Sequence, residues 1–240
     1  MAGIILFEGP SALDGAPIVV IATNGSKNKK TGDMIQTWII RADVPPHVAA
    51  LDGRDASICG ACPHRFNPIT GKRTCYVSTW RAPLSVFNAY RRGAYPRATL
   101  AQAREFARNR MVRLGAYGDP LAAPLAVWRN FTRDAAGRTG YTHAWAGLKG
   151  SRALAWRGLV MASADSVAEA EAAHRAGWRT FRVRRDDYLM PTERVCPASA
   201  EANKVATCAQ CRACAGADGR RNLGIAIVDH GPGWRQRMSA

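Results

Sequence analysis

Apolar residues recur along this chain in short blocks, cut by glycine, proline and charge, and no long stripe forms. Residues 17–22 and 35–40 read as strands. They flank the basic stretch Gly25-Ser26-Lys27-Asn28-Lys29-Lys30-Thr31-Gly32, a spacing that predicts a β-hairpin. The rest of residues 1–55 is irregular, so this part reads as an N-terminal β appendage. From Pro83 onward the pattern alternates. Residues 84–92 read as a helix stopped by Gly93 ahead of Tyr95-Pro96, and Thr99 caps a second helix over 100–110. A strand over 111–116 ends in Tyr117-Gly118-Asp119-Pro120, and a helix follows over 121–133. Strands are expected at 141–145, 159–162, 180–184, 194–196 and 224–228. Ser166 caps a helix over 167–176 that stops at Gly177.

Strand and helix in alternation with short loops are the mark of a parallel sheet. A complete eight-fold barrel takes about 250 residues. Residues 56–240 are therefore expected to form a compact or incomplete TIM-like (β/α) barrel, or an open sheet, in an α/β protein. No fixed-period repeat or low-complexity segment interrupts them.

Composition narrows the class. With 240 residues, 47% hydrophobic and 22% charged, the chain can bury its own core, and wholesale disorder is excluded. No apolar run approaches the roughly 18–20 residues of a membrane span. Residues 1–20 lack a basic leader and are broken by Glu8, Gly9 and Asp14, so no signal peptide is expected. The expected location is the cytoplasm. There, seven cysteines are metal ligands or reactive thiols before they are disulfides. Lys and Arg number 34 against 18 Asp and Glu, a formal +16, and 28 of the 34 are Arg. Arginine pairs with phosphate and stacks on bases, which points to nucleic acid, DNA or RNA alike. A GC-rich coding sequence, which raises Arg and Ala together, is the competing explanation.

Parallel α/β folds place their sites at the C-terminal ends of strands. Asp119, His143, Asp165, Cys196 with Ser199, and His230 all fall at such ends. Taken singly, each aspartate is as well explained as a helix cap. Together, two carboxylates on one rim suit displacement at a carbon centre: one attacks and the other manages the proton. Tyr117, His143, Ser199 and His230 are the candidate substrate contacts. Cys196, Cys208, Cys211 and Cys214 form C-x11-C-x2-C-x2-C, a spacing that presents thiolates to one metal, zinc or an iron–sulfur cluster. Cys59, Cys62 and Cys75 form a second set, for which His64 is the candidate fourth ligand of a second metal. Around them Arg65, Lys72, Arg73, Tyr76, Trp80 and Arg81 mix bases with aromatics, as a nucleic-acid groove does.

The stretches Cys59-Gly60-Ala61-Cys62-Pro63-His64, Thr74-Cys75-Tyr76-Val77, Arg113-Leu114-Gly115-Ala116-Tyr117-Gly118-Asp119-Pro120, Thr139-Gly140-Tyr141-Thr142-His143, Met161-Ala162-Ser163-Ala164-Asp165-Ser166 and Cys196-Pro197-Ala198-Ser199 resemble the phage-type DNA-guanine transglycosylases. These are distant relatives of the tRNA-guanine transglycosylases. The resemblance runs from about residue 55 to 230. It implies a compact barrel, a metal site near the C-terminus, and replacement of guanine in DNA by a 7-deazaguanine base such as preQ0. It also implies an aspartate nucleophile, assigned to Asp165, and a second aspartate, Asp119, that handles the proton or reads the purine. Where the tRNA enzymes carry C-x-C-x2-C and a distant histidine, this chain carries C-x11-C-x2-C-x2-C, and their Asp-Ser-Gly-Gly-Phe-Gln has no counterpart. The alternative is a nucleic-acid-binding protein stabilised by zinc or an iron–sulfur cluster and without catalysis.

Overall fold

The computed structural model describes residues 2–25, 28–203, 205–217 and 223–229. Among the described residues, nine strands form one sheet: β1 (Gly3–Pro10), β2 (Pro17–Thr23), β3 (Ile35–Arg41), β4 (Met111–Tyr117), β5 (Gly137–Thr142), β6 (Met161–Ala164), β7 (Thr180–Arg184), β8 (Glu193–Val195) and β9 (Gly224–Val228). Their order is β1-β2-β3-β4-β5-β6-β7-β9-β8. β2 pairs antiparallel with both β1 and β3, and every neighbouring pair from β3 onward is parallel. The order is linear, with β1 and β8 at the edges, so the architecture is an open, mostly parallel sheet in a mixed α/β protein.

The expected hairpin is β2 and β3, and its strands continue the main sheet. Their near-unbroken apolar runs suit this position, because both are buried on two faces. β1, which lacks a clean period-2 pattern, adds at the edge with a register shift between Ile5 and Phe7.

The helices are α1 (Pro46–Asp52), α2 (Ala56–Cys59), α3 (Ala82–Arg91), α4 (Leu100–Ala107), α5 (Leu125–Phe131), α6 (Gly150–Arg157), α7 (Val167–Arg175) and α8 (Cys208–Cys211). Thr99 and Gln102 form a capping box on α4, and the Ser166 hydroxyl accepts the Glu169 N–H at the start of α7. The helix expected over 121–133 is split into a 3₁₀ turn, Pro120–Ala122, and α5. Pro124 is the reason: it holds Ala123 extended, at φ −108° and ψ 155°. The strand expected over 141–145 ends at Thr142, whose hydroxyl accepts the Ala144 N–H and turns the chain. Helix α6, polar over most of its surface, carried no sequence signal strong enough to place it.

Successive side chains of a strand point to opposite faces, and here the two faces differ. Val112 and Leu114 of β4 and Ala162 of β6 join Ala107, Trp128, Phe131, Trp156 and Ala173 from α4–α7 in the main core. On the other face, Arg113, Gly115 and Tyr117 of β4, Tyr141 of β5, Ser163 of β6 and Phe181 of β7 line a cavity of about 930 Å³. The cysteine-rich segment packs on this inner face: Ala213 and Cys214 cluster with Met161 and Ile225. It is tied across the molecule by Gly140 N to Cys214 O (3.3 Å), Cys208 N to Lys30 O (2.8 Å) and Ala209 N to Thr31 O (3.2 Å).

Several arginines serve the interior. Arg182 makes two 2.7 Å bonds to the buried Glu193 carboxylate, Arg179 donates to the carbonyls of Gly216 and Leu223, and Arg41 binds Asp43 and Ser57. The surface field is therefore carried by the remaining cations.

Candidate active site

The C-terminal ends of β4, β5 and β6 stand side by side and deliver Asp119, His143 and Asp165 to one rim. After β4 the chain turns through Gly118 at φ +83°, where a Cβ would lie 2.7 Å from the Ile39 Cβ and 2.7 Å from the Ile39 carbonyl oxygen. Only glycine fits so close to β3 at this φ. The turn lowers Asp119 into the cavity wall at 8% exposure. Its Oδ1 accepts the Leu121 N–H (2.9 Å), and its Oδ2 accepts the Thr142 hydroxyl (2.9 Å) and the His143 N–H (3.0 Å). Burial pushes this carboxyl above its usual range, and the three donors pull against that rise. Asp119 thereby also pins the end of β5.

Asp165 lies behind the wall, between two imidazoles that are part of it. His64 Nε2 is 2.9 Å from Oδ1 and His143 Nε2 is 3.2 Å from Oδ2. The rings meet edge to face, 5.5 Å between centroids at 70°. Burial alone would raise the Asp165 carboxyl, but hydrogen bonds to His143 and then His64 overcome it and hold the group well below the ordinary carboxylate range. Burial would lower His143. The Asp165 hydrogen bond outweighs it, with Cys62 adding, and the imidazole is pushed up to about 10. His64 is fixed on its other side by Thr74, whose Oγ1 is 2.8 Å from Nδ1.

The remaining sequence candidates divide. Tyr117 is 2% exposed and lines the cavity, and its hydroxyl has no partner among the described residues. Ser199 lies off the wall, its hydroxyl donating to the Cys196 carbonyl at 2.7 Å. His230 lies outside the described residues. Cys59, Cys62 and Cys75 all line the cavity, yet His64, their candidate fourth ligand, faces Asp165 instead. Cys196, Cys208, Cys211 and Cys214 share one neighbourhood, each entering the electrostatic surroundings of Cys214 or of another member. Burial raises Cys196 and Cys208, and pushes Cys214 up to about 12. Four thiols suit a soft metal, zinc or an iron–sulfur cluster. A single zinc at about 2.3 Å from each sulfur needs the sulfurs about 3.8 Å apart. No three of the cysteine sulfurs lie within 4.8 Å of one another, so the set is not gathered to that spacing. Among the described residues, the trio that is gathered so closely is His64, His143 and Asp165. Sequence reading weighed each of these three separately. The signal that joins them is positional: two strand ends one strand apart, with a tight Cys-Pro-His turn above.

No protein-family model matches the chain, and no curated protein or solved structure matches it significantly. Among the described residues, no helix is long and apolar enough to cross a membrane.

Proposed function

We propose that this protein is a pentosyltransferase that exchanges guanine in DNA for a 7-deazaguanine base of the preQ0 type, and that the cavity is its active site. The observation that carries the reading is a buried carboxylate, Asp119, on the wall of a cavity of about 930 Å³ at the C-terminal rim of a parallel sheet. That volume lies within the usual range for small-ligand pockets, about 300–1,000 Å³, and accommodates a nucleoside turned out of the duplex. Asp119 is the better placed of the two aspartates to attack, because it lines the cavity, whereas Asp165 is not part of the lining and is held between the two imidazoles. This exchanges the roles that the resemblance assigns.

In this scheme an Asp119 oxygen bonds to C1′ as the C1′–N9 bond breaks. The guanine leaves with the electron pair and takes up a proton from solvent. The incoming base gives its N9 proton to solvent, its N9 attacks C1′, and the carboxylate is released. His64 and His143 on the same wall face the base as it leaves. The target base must leave the stack, and an exposed aromatic ring outside the cavity suits that step. Trp80, 63% exposed, stacks on His47 at 3.7 Å and 25°.

The test is mass spectrometry of nucleosides from DNA and tRNA after co-expression with a supply of the 7-deazaguanine base. Modified deoxynucleoside that disappears in Asp119→Asn supports the scheme. Modification of tRNA alone moves the substrate to RNA, and no modification of either removes the reading. The second reading, a metal-stabilised DNA-binding protein without catalysis, is favoured by the +16 charge. It predicts DNA binding that Asp119→Asn leaves unchanged, with no modified nucleoside in either polymer.

A further inference from the structure

We infer that His64, His143 and Asp165 bind a first-row divalent transition-metal ion at the rim of the cavity, apart from both cysteine sets. The site goes beyond base exchange and does not depend on it. Three donors arrive from three separate segments: the loop after α2, the end of β5 and the end of β6. Their ligand atoms all lie within 4.8 Å of one another, with N···O separations of 2.9 and 3.2 Å. Two ligands each about 2.1 Å from one ion, at right angles, stand about 3.0 Å apart. Each imidazole has that spacing from one oxygen of the Asp165 carboxylate, and the three side chains converge as the ligands of two-histidine, one-carboxylate sites do.

The surroundings agree. Thr74 Oγ1 lies 2.8 Å from Nδ1 of His64 and can accept its proton, so that an ion can replace the Nε2–H shared with Asp165 and take the Nε2 lone pair. Such an outer partner fixes the tautomer of a ligating imidazole. The Asp119 carboxylate holds the His143 backbone N–H, and the Glu169 carboxylate accepts the Asp165 N–H at 2.7 Å. Each of the three side chains is about one-fifth exposed, so the ion would be partly enclosed. Both imidazoles line the cavity, so the open coordination positions face it. A ligand with an oxygen or nitrogen lone pair, water or a heterocyclic carbonyl, is the class that would complete the sphere. Imidazole and carboxylate suit zinc, iron(II), manganese or cobalt, whereas the thiols nearby suit softer chemistry.

The experiment titrates cobalt(II) into full-length protein stripped with chelator, without DNA. A cobalt ion on nitrogen and oxygen ligands gives d–d bands without the thiolate charge transfer that marks cysteine. The expected result is one such ion per chain, retained in Cys196→Ser and Cys75→Ser, and lost in His64→Gln and Asp165→Asn. Thr74→Val keeps all three ligands and should weaken binding by about 10- to 100-fold. Circular dichroism confirms that each variant is folded. Cobalt bound only with thiolate charge transfer, or binding unchanged by both Asp165→Asn and His64→Gln, overturns the inference. The readout involves no DNA. Cobalt binding without base exchange would sink the transglycosylase reading alone, and exchange without this cobalt site would sink this inference alone.

Discussion

Replacing Gly118 by alanine tests whether the turn after β4 is what places Asp119. Gly118 sits at φ +83°, and a Cβ there meets the Ile39 Cβ and carbonyl oxygen, each at 2.7 Å. Left-handed backbone costs an alanine about 1–2 kcal/mol. Ile39 is fully buried in β3, so the added methyl also overpacks the core, at about 1–3 kcal/mol. Gly118→Ala should therefore destabilise the protein by about 2–5 kcal/mol. For a chain of this size, each kcal/mol moves Tm by about 2–4 °C. Gly71→Ala is the control. Its φ is +64°, and a Cβ there meets nothing within 4 Å, so only the backbone cost applies. Urea unfolding of both variants, with unchanged m-values, gives the two costs directly. Relief of the Ile39 contact requires the turn to move, and Asp119 is the next residue. Base exchange by Gly118→Ala, measured well below its Tm, should fall below wild type while Gly71→Ala keeps full rate. Equal destabilisation by the two substitutions would refute the steric account of this turn.

Three other outcomes follow from the site. Thr142→Val removes a donor from Asp119 and raises its already elevated pKa further. A carboxylate that attacks must be ionised, so the acidic limb of the exchange pH profile should move to higher pH, and an unmoved limb would remove Asp119 from the nucleophile role. If the four C-terminal cysteines draw together on a metal, Cys214→Ser should lower the iron or zinc content of purified protein and lower its solubility, checked by elemental analysis, since a structural metal supplies about 10 kcal/mol of apparent folding free energy; unchanged metal content would remove that site. If DNA contact engages ~5 phosphates, log K should fall against log salt with a slope of about −4 to −5, and a flat dependence would exclude backbone binding.

The sequence announced its strands most clearly where burial is two-sided. β2 and β3 are runs of β-branched residues, and α7 carries its own start and stop in Ser166 and Gly177. Two of the inner strand ends were legible as well, because Asp119 and Asp165 each follow an apolar run. What could not be read was pairing across distance. His64 and Asp165 are brought together only by the sheet order and by the turn after Cys62. Which aspartate faces the cavity depends on a glycine turn and a single threonine hydroxyl, neither of which leaves a periodic trace. The arginine count overstated the surface charge, because a guanidinium such as that of Arg182 looks the same in sequence whether it meets a phosphate or the buried Glu193.

The tie between Lys30-Thr31 and Cys208-Ala209 joins the second strand's loop to a helix near the far end of the chain. Contacts of such long sequence separation form late, because the entropy of closing the loop is lost before any contact offsets it. On the ribosome, β1–β4 can be made and paired long before Cys208 emerges. Until then Tyr141 and Phe181, which the cysteine segment covers, face solvent on the inner side of the sheet. The chain thus passes through a stage with its main core formed and its cavity unfinished. Growth temperature and synthesis rate should then govern the yield of soluble protein, and a chain truncated ahead of Cys196 should aggregate although its helix-covered core is intact.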